Sequence, residues 1–269
     1  MPFTKDVSDK LPDDPKQTIW RFMDLTRFID LLATEELWFS CVEEFAKTDP
    51  WEGEFPTRNM KVVEAELLRQ FHGMEDVARQ GVKTYKNFII ALRKATYANC
   101  WHWNDYESAA MWALYVPKDG IAIKSTVERV QKSLAKEPRP IRVSEIRYLD
   151  FDKEDGDILR TYLQKRMSFI HEKELRAFVT DRDLWFKFNT EEYKIPREIA
   201  SRISGDVARI MKLRYVKGIK VKIDPKVLIE QVLIAPTSQD ALEGVVRDVM
   251  RKYSLSAPVS KSSITELPS

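Results

Sequence analysis

Short runs of β-branched and aromatic residues alternate irregularly with amphipathic helical segments in this chain, and no internal repeat is present. The candidate strands cover residues 18–23, 37–40, 97–103, 120–125, 140–151, 172–180, 218–223 and 232–235, and the candidate helices cover 25–32, 61–93, 108–115, 125–136, 156–169 and 240–253. A regular strand-helix alternation would favour a doubly wound parallel sheet. The irregular order instead predicts an α+β fold with a mixed, mostly antiparallel sheet core and surrounding helices.

Several helix starts carry capping signals. Asp24 precedes the first helical stripe, and Asp224 followed by Pro225 fits the N-cap and first helical position of a short helix. Two further segments, 104–107 and 125–128, begin with a side-chain oxygen and end in Glu, as a capping box does. These signals predict where four helices begin.

A chain of 269 residues is long enough to bury roughly 70–75% of its unfolded surface, so one domain is expected. We place it at residues 18–253. The polar segment 1–17 is expected to be flexible, as is the tail 254–269, which is rich in Ser and Pro. Neither a signal peptide nor a run of 18 apolar residues is evident, so a cytoplasmic location is expected, with no membrane partner.

Composition excludes several functional classes. Lys and Arg total 44 against 42 acidic residues, so net charge gives no general attraction to nucleic acid or anionic lipid. Cys41 and Cys100 lie in apolar runs, as buried free thiols of a reducing compartment do. With 8 glycines, the chain has no phosphate-binding glycine loop, and it has no Gly-x-Ser-x-Gly or paired-cysteine motif. His72, His102 and His171 do not have zinc-ligand spacing.

The first candidate site is the segment 172–176. On a strand, Glu172 and Glu174 would project from the same face, where one carboxylate could stabilise a cationic carbon and the other could orient a nucleophile. The alternative is a solvated strand face with a local pair between Glu174 and Arg176. A second candidate is Arg21, which either binds an anion such as phosphate or faces water.

Aromatic residues form the third candidate. The set comprises Trp101, Trp103, Tyr106, Trp112 and Tyr115. Trp112 and Tyr115 share a helix face and could stack a planar ring, although core packing accounts for them equally well. His102, between two tryptophans, is either an acid or base or a satisfied core histidine. The long segment 41–56 is a candidate lid or binding loop.

The chain carries six short segments in this order: Trp20-Arg21-Phe22, Leu37-Trp38-Phe39-Ser40 with an acidic Asp49-Pro50 loop, Trp112-x-x-Tyr115 before Gly120, Glu172-Lys173-Glu174-Leu175-Arg176, Val221 to Asp224, and Ile234 to Pro236. Together these segments resemble a widespread bacterial family of unknown function. The resemblance covers roughly residues 19–253, and it suggests a possible role in phage defence. In order, the segments are similar to the Arg, Ser, Glu-x-Glu pattern of ADP-ribosyltransferases.

That second resemblance implies an ADP-ribosyltransferase-like fold, NAD as the substrate, and a transfer or hydrolysis of its ADP-ribose. Arg21 would hold the NAD phosphates, Ser40 would brace the ribose pocket, and Glu174 would stabilise the ribosyl cation. Glu172 would orient the acceptor, an unidentified protein or nucleic acid. The cofactor-binding residues would be Arg21, Trp38, Trp112 and Tyr115. In this chain Cys41 follows Ser40, where the usual motif continues with Thr-Ser.

Two other classes remain open. A non-catalytic module that binds a protein or nucleic acid through the tryptophan-rich segment would expose aromatic residues and leave Glu172 and Glu174 in solvent. A metal-dependent nuclease would instead use Asp49, Glu52 or Glu54 together with Glu172 to hold Mg²⁺.

Overall fold

The structure, a computed structural model, describes residues 9–116, 118–180 and 216–264. Residues 1–8 of the expected flexible N-terminal segment and 265–269 of the expected tail lie outside the described residues. Within the described ranges, no helix is both long enough and apolar enough to cross a bilayer.

The described elements are numbered in chain order. The strands are β1 Thr18–Asp24, β2 Glu36–Cys41, β3 Thr96–Trp103, β4 Gly120–Thr126, β5 Arg142–Glu145, β6 Arg147–Leu149, β7 Gln164–Arg166, β8 Glu174–Thr180, β9 Gly218–Lys222, β10 Gln231–Ile234 and β11 Val259–Lys261. The α-helices are α1 Leu25–Thr34, α2 Val42–Phe45, α3 Thr57–Gln70, α4 Glu75–Ala95, α5 Ala109–Tyr115, α6 Val127–Ser133, α7 Pro225–Leu228 and α8 Ala241–Lys252. Short 3₁₀ helices cover Leu134–Lys136, Ile158–Leu163 and Met167–Glu172.

Nine of the described strands form one sheet with the order β11-β10-β4-β1-β3-β2-β9, to which β8 and β5 are added through β3. All pairs in this sheet are antiparallel except β10 with β11. Strands β6 and β7 form a separate parallel pair. The predicted α+β fold with a mixed, mostly antiparallel sheet is confirmed.

The sheet forks at β3. Strand β8 pairs with one edge of β3 from Thr96 to His102, so β1 and β2 share the other edge. β2 pairs with Tyr97 and Ala98 at the start of β3, whereas β1 pairs only with His102 and Trp103 at its end. Between these pairings, β1 and β2 diverge and leave a gap along the middle of β3.

The two faces of the sheet are packed differently. One face carries the main apolar core, in which residues of α1, α6 and α8 such as Phe28, Val130 and Val246 pack on strand residues such as Ile19 and Leu175. The other face carries two smaller apolar clusters, one around Phe178 and Leu92 and one around Trp20 and Trp112. Burial of apolar area on both faces explains why β8 reads as a buried strand with no strict polar alternation.

The predicted N-cap residue is correct at two helix starts, and at two others the N-cap is a different residue nearby. Asp24 accepts a hydrogen bond from the Arg27 N–H, and Asp224 accepts bonds from the N–H groups of Lys226 and Val227 with Pro225 at the first helical position. The other two caps are Ser108 and Thr126 instead of residues 104 and 125. Each correction follows from competing bonds: the side chain of Asn104 donates to the Tyr106 carbonyl, and that of Ser125 donates to the Leu228 carbonyl.

Three predicted segments differ from the structure. The helix expected over 156–169 is wrong, because this stretch forms a 3₁₀ helix, strand β7 and the start of another 3₁₀ helix. The strand expected over 140–151 is divided into β5 and β6, which pair with different partners. The tail expected to be flexible from 254 onward includes β11, whose Val259 pairs with β10.

Candidate functional site

A cavity of about 280 Å³ lies at the fork of the sheet, between the two small apolar clusters. Its walls include Arg21 from β1, Ser40 from β2, His102 from β3 and Glu174 from β8. The register explains why Glu174 and His102 converge, since they lie opposite each other and facing residues of paired strands project from the same side. Arg21 alternates to the other side of β1 from Trp20 and reaches the cavity through the gap beside β3. Residues far apart in sequence therefore meet at one cavity, because β1, β2, β3 and β8 all contribute to its walls.

Arg21 reaches into the gap between β1 and β3. Its Nη1 atom donates a hydrogen bond of 2.6 Å to the carbonyl of Cys100, and its guanidinium lies 6.0 Å from the ring centre of Trp101. Burial lowers the pKa of Arg21 to about 10. The side chain therefore remains a cation at neutral pH and supplies positive charge to the cavity wall.

The carboxylate of Glu174 is buried and held by two cations. Arg176 donates from Nε to Oε1 at 2.7 Å, and Lys165 donates from Nζ to Oε2 at 3.1 Å. Burial disfavours the charged carboxylate, but Arg176 and Lys165 outweigh it and hold the pKa of Glu174 well below its usual range. Glu174 is therefore ionised throughout the physiological range.

Lys165 lies at the centre of three carboxylates. Its Nζ atom contacts Glu172, lies 3.1 Å from Glu174 and lies 3.4 Å from Glu52. Burial opposes the charge on the lysine, whereas the surrounding carboxylates hold its pKa above the usual range. A permanently charged ammonium therefore occupies the position at which these carboxylates would otherwise share a cation.

Glu172 reaches the same cluster by a different route from the one predicted. It belongs to the 3₁₀ helix Met167–Glu172, and Lys173 has a left-handed backbone with φ of 38° that breaks the strand before β8 begins. The expectation that both glutamates share one strand face is wrong for this reason. Glu172 nevertheless lines the cavity, where its Oε1 accepts a hydrogen bond of 3.3 Å from Tyr115 Oη.

The structure does not bring Trp38 and Trp112 to the cavity. Trp112 is 3% exposed, packs edge-on against Phe22 at 4.9 Å and donates from Nε1 to Glu107, so it is a core residue. Trp38 shares a strand with Ser40, but it lies opposite Lys220 of β9, and its exposed ring covers Gly218. Of the four predicted cofactor-binding residues, Arg21 and Tyr115 line the cavity.

The segment 41–56 is more ordered than a plain loop. It contains helix α2, and the three acidic residues considered as magnesium ligands lie in two different places. Glu52 is buried in the cavity wall, where its Oε1 accepts a hydrogen bond of 3.0 Å from Arg176, and Asp49 binds Arg166 at 2.6 Å. Glu54 instead pairs with Arg93 at 2.5 Å and does not line the cavity.

This division weakens the magnesium hypothesis. In the part of the chain that the structure describes, no group of three or more His, Cys, Asp or Glu side chains is arranged to hold a metal ion. The carboxylates that do converge already surround Lys165. A divalent cation would have to displace that ammonium or share the site with it.

Both cysteines are free thiols, as predicted. Cys41 is buried and its pKa is raised to about 11 by burial, and burial also raises the pKa of Cys100, which lines the cavity. Neither thiol is therefore activated as a nucleophile.

Sequence reasoning missed Lys165 and underestimated Arg176 and His102. Lys165 was placed inside a helix that does not form, and nothing local marks it as a partner of residues on β8. Arg176 was considered only as a surface partner of Glu174, yet it is 0% exposed and also donates to the Tyr162 carbonyl at 2.6 Å. A Glu-x-Arg pair on a strand flanked by apolar residues is the signal that could have indicated a buried pair.

No family model, curated protein or solved structure matches this chain. The cavity's own residues are therefore the basis for any functional conclusion.

Proposed function

We propose that this protein cleaves the bond between nicotinamide and ribose in NAD, as an ADP-ribosyltransferase or an NAD glycohydrolase. The observation that carries the proposal is that Arg21, Ser40 and Glu174, on three strands, line one cavity. These are the residues to which the resemblance assigns the binding and cleavage of NAD.

Charge in the cavity suits this reaction. Cleavage of the glycosidic bond passes through a transition state with oxocarbenium character, which a fixed anion stabilises electrostatically. Glu174 is such an anion, because Arg176 and Lys165 keep it ionised and hold its position. Arg21 is a cation at neutral pH and would attract the pyrophosphate.

The size of the cavity limits how NAD would bind. Ligand pockets commonly measure about 300–1,000 Å³, and a cavity of about 280 Å³ lies just below that range. Only the nicotinamide riboside half would be enclosed, with the rest extending past the exposed rim. Tyr115, which lines the cavity and is 50% exposed, would pack against the enclosed nicotinamide ring.

Burial of the carboxylates favours this proposal over a non-catalytic binding module. A module was expected to leave Glu172 and Glu174 facing open solvent, whereas both are buried. Burying four or more charged groups around a cavity is costly unless each is paired, and such clusters are commonly functional.

The test is nicotinamide release from NAD by the purified protein, with binding measured separately by calorimetry. Glu174→Gln should lower turnover by about 100- to 1,000-fold while NAD affinity changes little, because the lost interaction acts mainly in the transition state. Glu145→Gln is the matched control, since Glu145 lies on the neighbouring strand β5 and does not line the cavity. Absence of NAD binding by the wild type, or equal turnover by Glu174→Gln, would refute the proposal.

A further inference from the structure

The imidazole of His102 has one nitrogen bound and the other without a partner. Nδ1 lies 2.6 Å from the carbonyl oxygen of Glu172. A carbonyl only accepts hydrogen bonds, so Nδ1 must carry the proton. Nε2 is buried and has no hydrogen-bond partner among the described residues. The side chain of His102 is 4% exposed and lines the cavity.

A buried nitrogen without a partner is costly, and native structures seldom retain one without a reason. In the neutral ring with the proton on Nδ1, Nε2 carries a lone pair and can only accept. Burial lowers the pKa of His102 below its usual range, with Lys173 acting in the same direction and the bond to Glu172 opposing it. The ring is therefore neutral at pH 7 and has an acceptor available.

The carboxylate of Glu172 is less available than His102 Nε2 as a hydrogen-bond acceptor. One of its oxygens is bound by Lys165 and the other accepts from Tyr115. Neither oxygen of Glu172 is therefore left without a hydrogen-bond donor. His102 faces Glu174 across the β3–β8 ladder, and no described residue binds the lone pair of its Nε2.

We propose that His102 Nε2 accepts the proton of the attacking nucleophile, a water molecule or an acceptor hydroxyl, and that Glu172 acts through its backbone carbonyl to fix the tautomer. This inference rests on the proposed NAD cleavage. The nucleophile's oxygen forms a bond to the anomeric carbon, and the bond from that carbon to the nicotinamide nitrogen breaks. The electron pair of the broken bond leaves with nicotinamide, which becomes neutral, and the nucleophile's proton passes to Nε2 and then to solvent.

One test needs no substrate. The chain has 3 histidines, so nitrogen-15 NMR of the imidazoles gives few signals, and His72→Gln and His171→Gln assign them. We expect His102 to be neutral at pH 7 with a protonated Nδ1 and an unprotonated Nε2. A protonated Nε2 in the neutral ring would overturn the inference even if the protein cleaves NAD.

The second test uses His102→Asn, whose side-chain amide can keep the hydrogen bond to the Glu172 carbonyl while Nε2 is removed. Hydrolysis of NAD should fall by about 100- to 10,000-fold, as expected when a general base is lost. Azide is an anion that needs no base, so its reaction with NAD to give ribosyl azide and nicotinamide should stay within about threefold of the wild-type rate. His72→Gln, on the exposed turn after α3, is the control for both reactions.

The outcomes separate the two proposals. Unchanged hydrolysis by His102→Asn, or an equal loss with water and azide, would overturn the role of His102 while NAD cleavage by the wild type still stands. If the wild type releases no nicotinamide, the proposed function fails and the role of His102 fails with it. If His102→Asn does not fold, His102→Gln is used under the same criteria.

Discussion

Arg176 Nε donates a hydrogen bond of 2.7 Å to Glu174 Oε1, and both side chains are almost completely buried on the same face of β8. Residues two apart on a strand rarely form a buried pair by themselves, because both charges lose their hydration. Here Glu52 and the Tyr162 carbonyl bind Nη1 of the same guanidinium, and Lys165 binds the second oxygen of Glu174. The pair is therefore part of a connected network.

Arg176→Met should destabilise the fold by about 3 to 5 kcal/mol, because it leaves the buried carboxylates of Glu174 and Glu52 with less compensation. Urea unfolding followed by tryptophan fluorescence measures the change. The matched control is Arg247→Met, which removes an exposed pair with Glu243 and should cost less than about 1 kcal/mol. Similar losses in the two variants would contradict a buried network.

Stability should depend on pH through Glu174. Its pKa in the folded state is held below the unfolded value of about 4.5, so ionised Glu174 stabilises the fold above that pH. This contribution is lost as the pH falls through the unfolded pKa towards the folded one. The difference in unfolding free energy between wild type and Glu174→Gln should be constant from about pH 7 to 5.5 and narrow from about pH 5 to 3. A difference that stays constant down to pH 3 would contradict the low pKa.

Trp112 and Trp38, which do not reach the cavity, should contribute differently to the stability of the protein. Trp112→Ala should cost about 3 to 5 kcal/mol, because it empties a packed site beside Phe22 and leaves Glu107 without its indole donor. Trp38→Ala should cost about 1 kcal/mol, since the ring is 45% exposed. Thermal unfolding compares them, and equal shifts in melting temperature would disagree with the packing described.

Gly53 should not tolerate a side chain. Its φ is +72°, and a Cβ there would lie 2.7 Å from the Arg93 side chain, which Glu43 and Glu54 hold in place. Gly53→Ala should therefore lower the free energy of unfolding by at least about 1 kcal/mol. It should also weaken NAD binding, because Glu52, which precedes Gly53, lines the cavity.

The matched control for this glycine is Gly244→Ala. Gly244 lies in helix α8 with nothing within 4 Å of an added Cβ, so the substitution should stabilise the protein by about 0.5 to 1 kcal/mol. Chemical unfolding of both variants gives the sign of each change. A stabilising Gly53→Ala would show that the turn can relax.

Local signals predicted those parts of the fold that depend on neighbours in sequence. Asp24 and Asp224 cap helices because their side chains reach N–H groups two or three residues away. The strand patterns at β1, β3 and β4 were likewise recognisable, because alternation and β-branching reflect local burial. The α+β class follows from the order of such elements.

The centre of the candidate site depends on contacts that no local pattern encodes. A helix was predicted over residues 156–169, but Tyr162 and Leu163 pack against Phe178, and Lys165 contacts the buried carboxylates. These tertiary contacts favour short 3₁₀ turns and strand β7 over a continuous helix. Convergence of Glu172 and Glu174 was anticipated from strand geometry, yet it is achieved through a left-handed turn at Lys173.

The fork in the sheet also determines how the cavity can open. The β3–β8 ladder runs unbroken from Thr96 to His102, whereas β1 and β2 are each joined to β3 by only two residue pairs. Moving β1 or β2 away from β3 therefore breaks few hydrogen bonds and leaves the β3–β8 ladder intact, so we expect amide protons at the fork to exchange with solvent faster than those of β8. We therefore expect β1 and β2, which form part of the cavity wall, to open more readily than β3 and β8, which form another part of it.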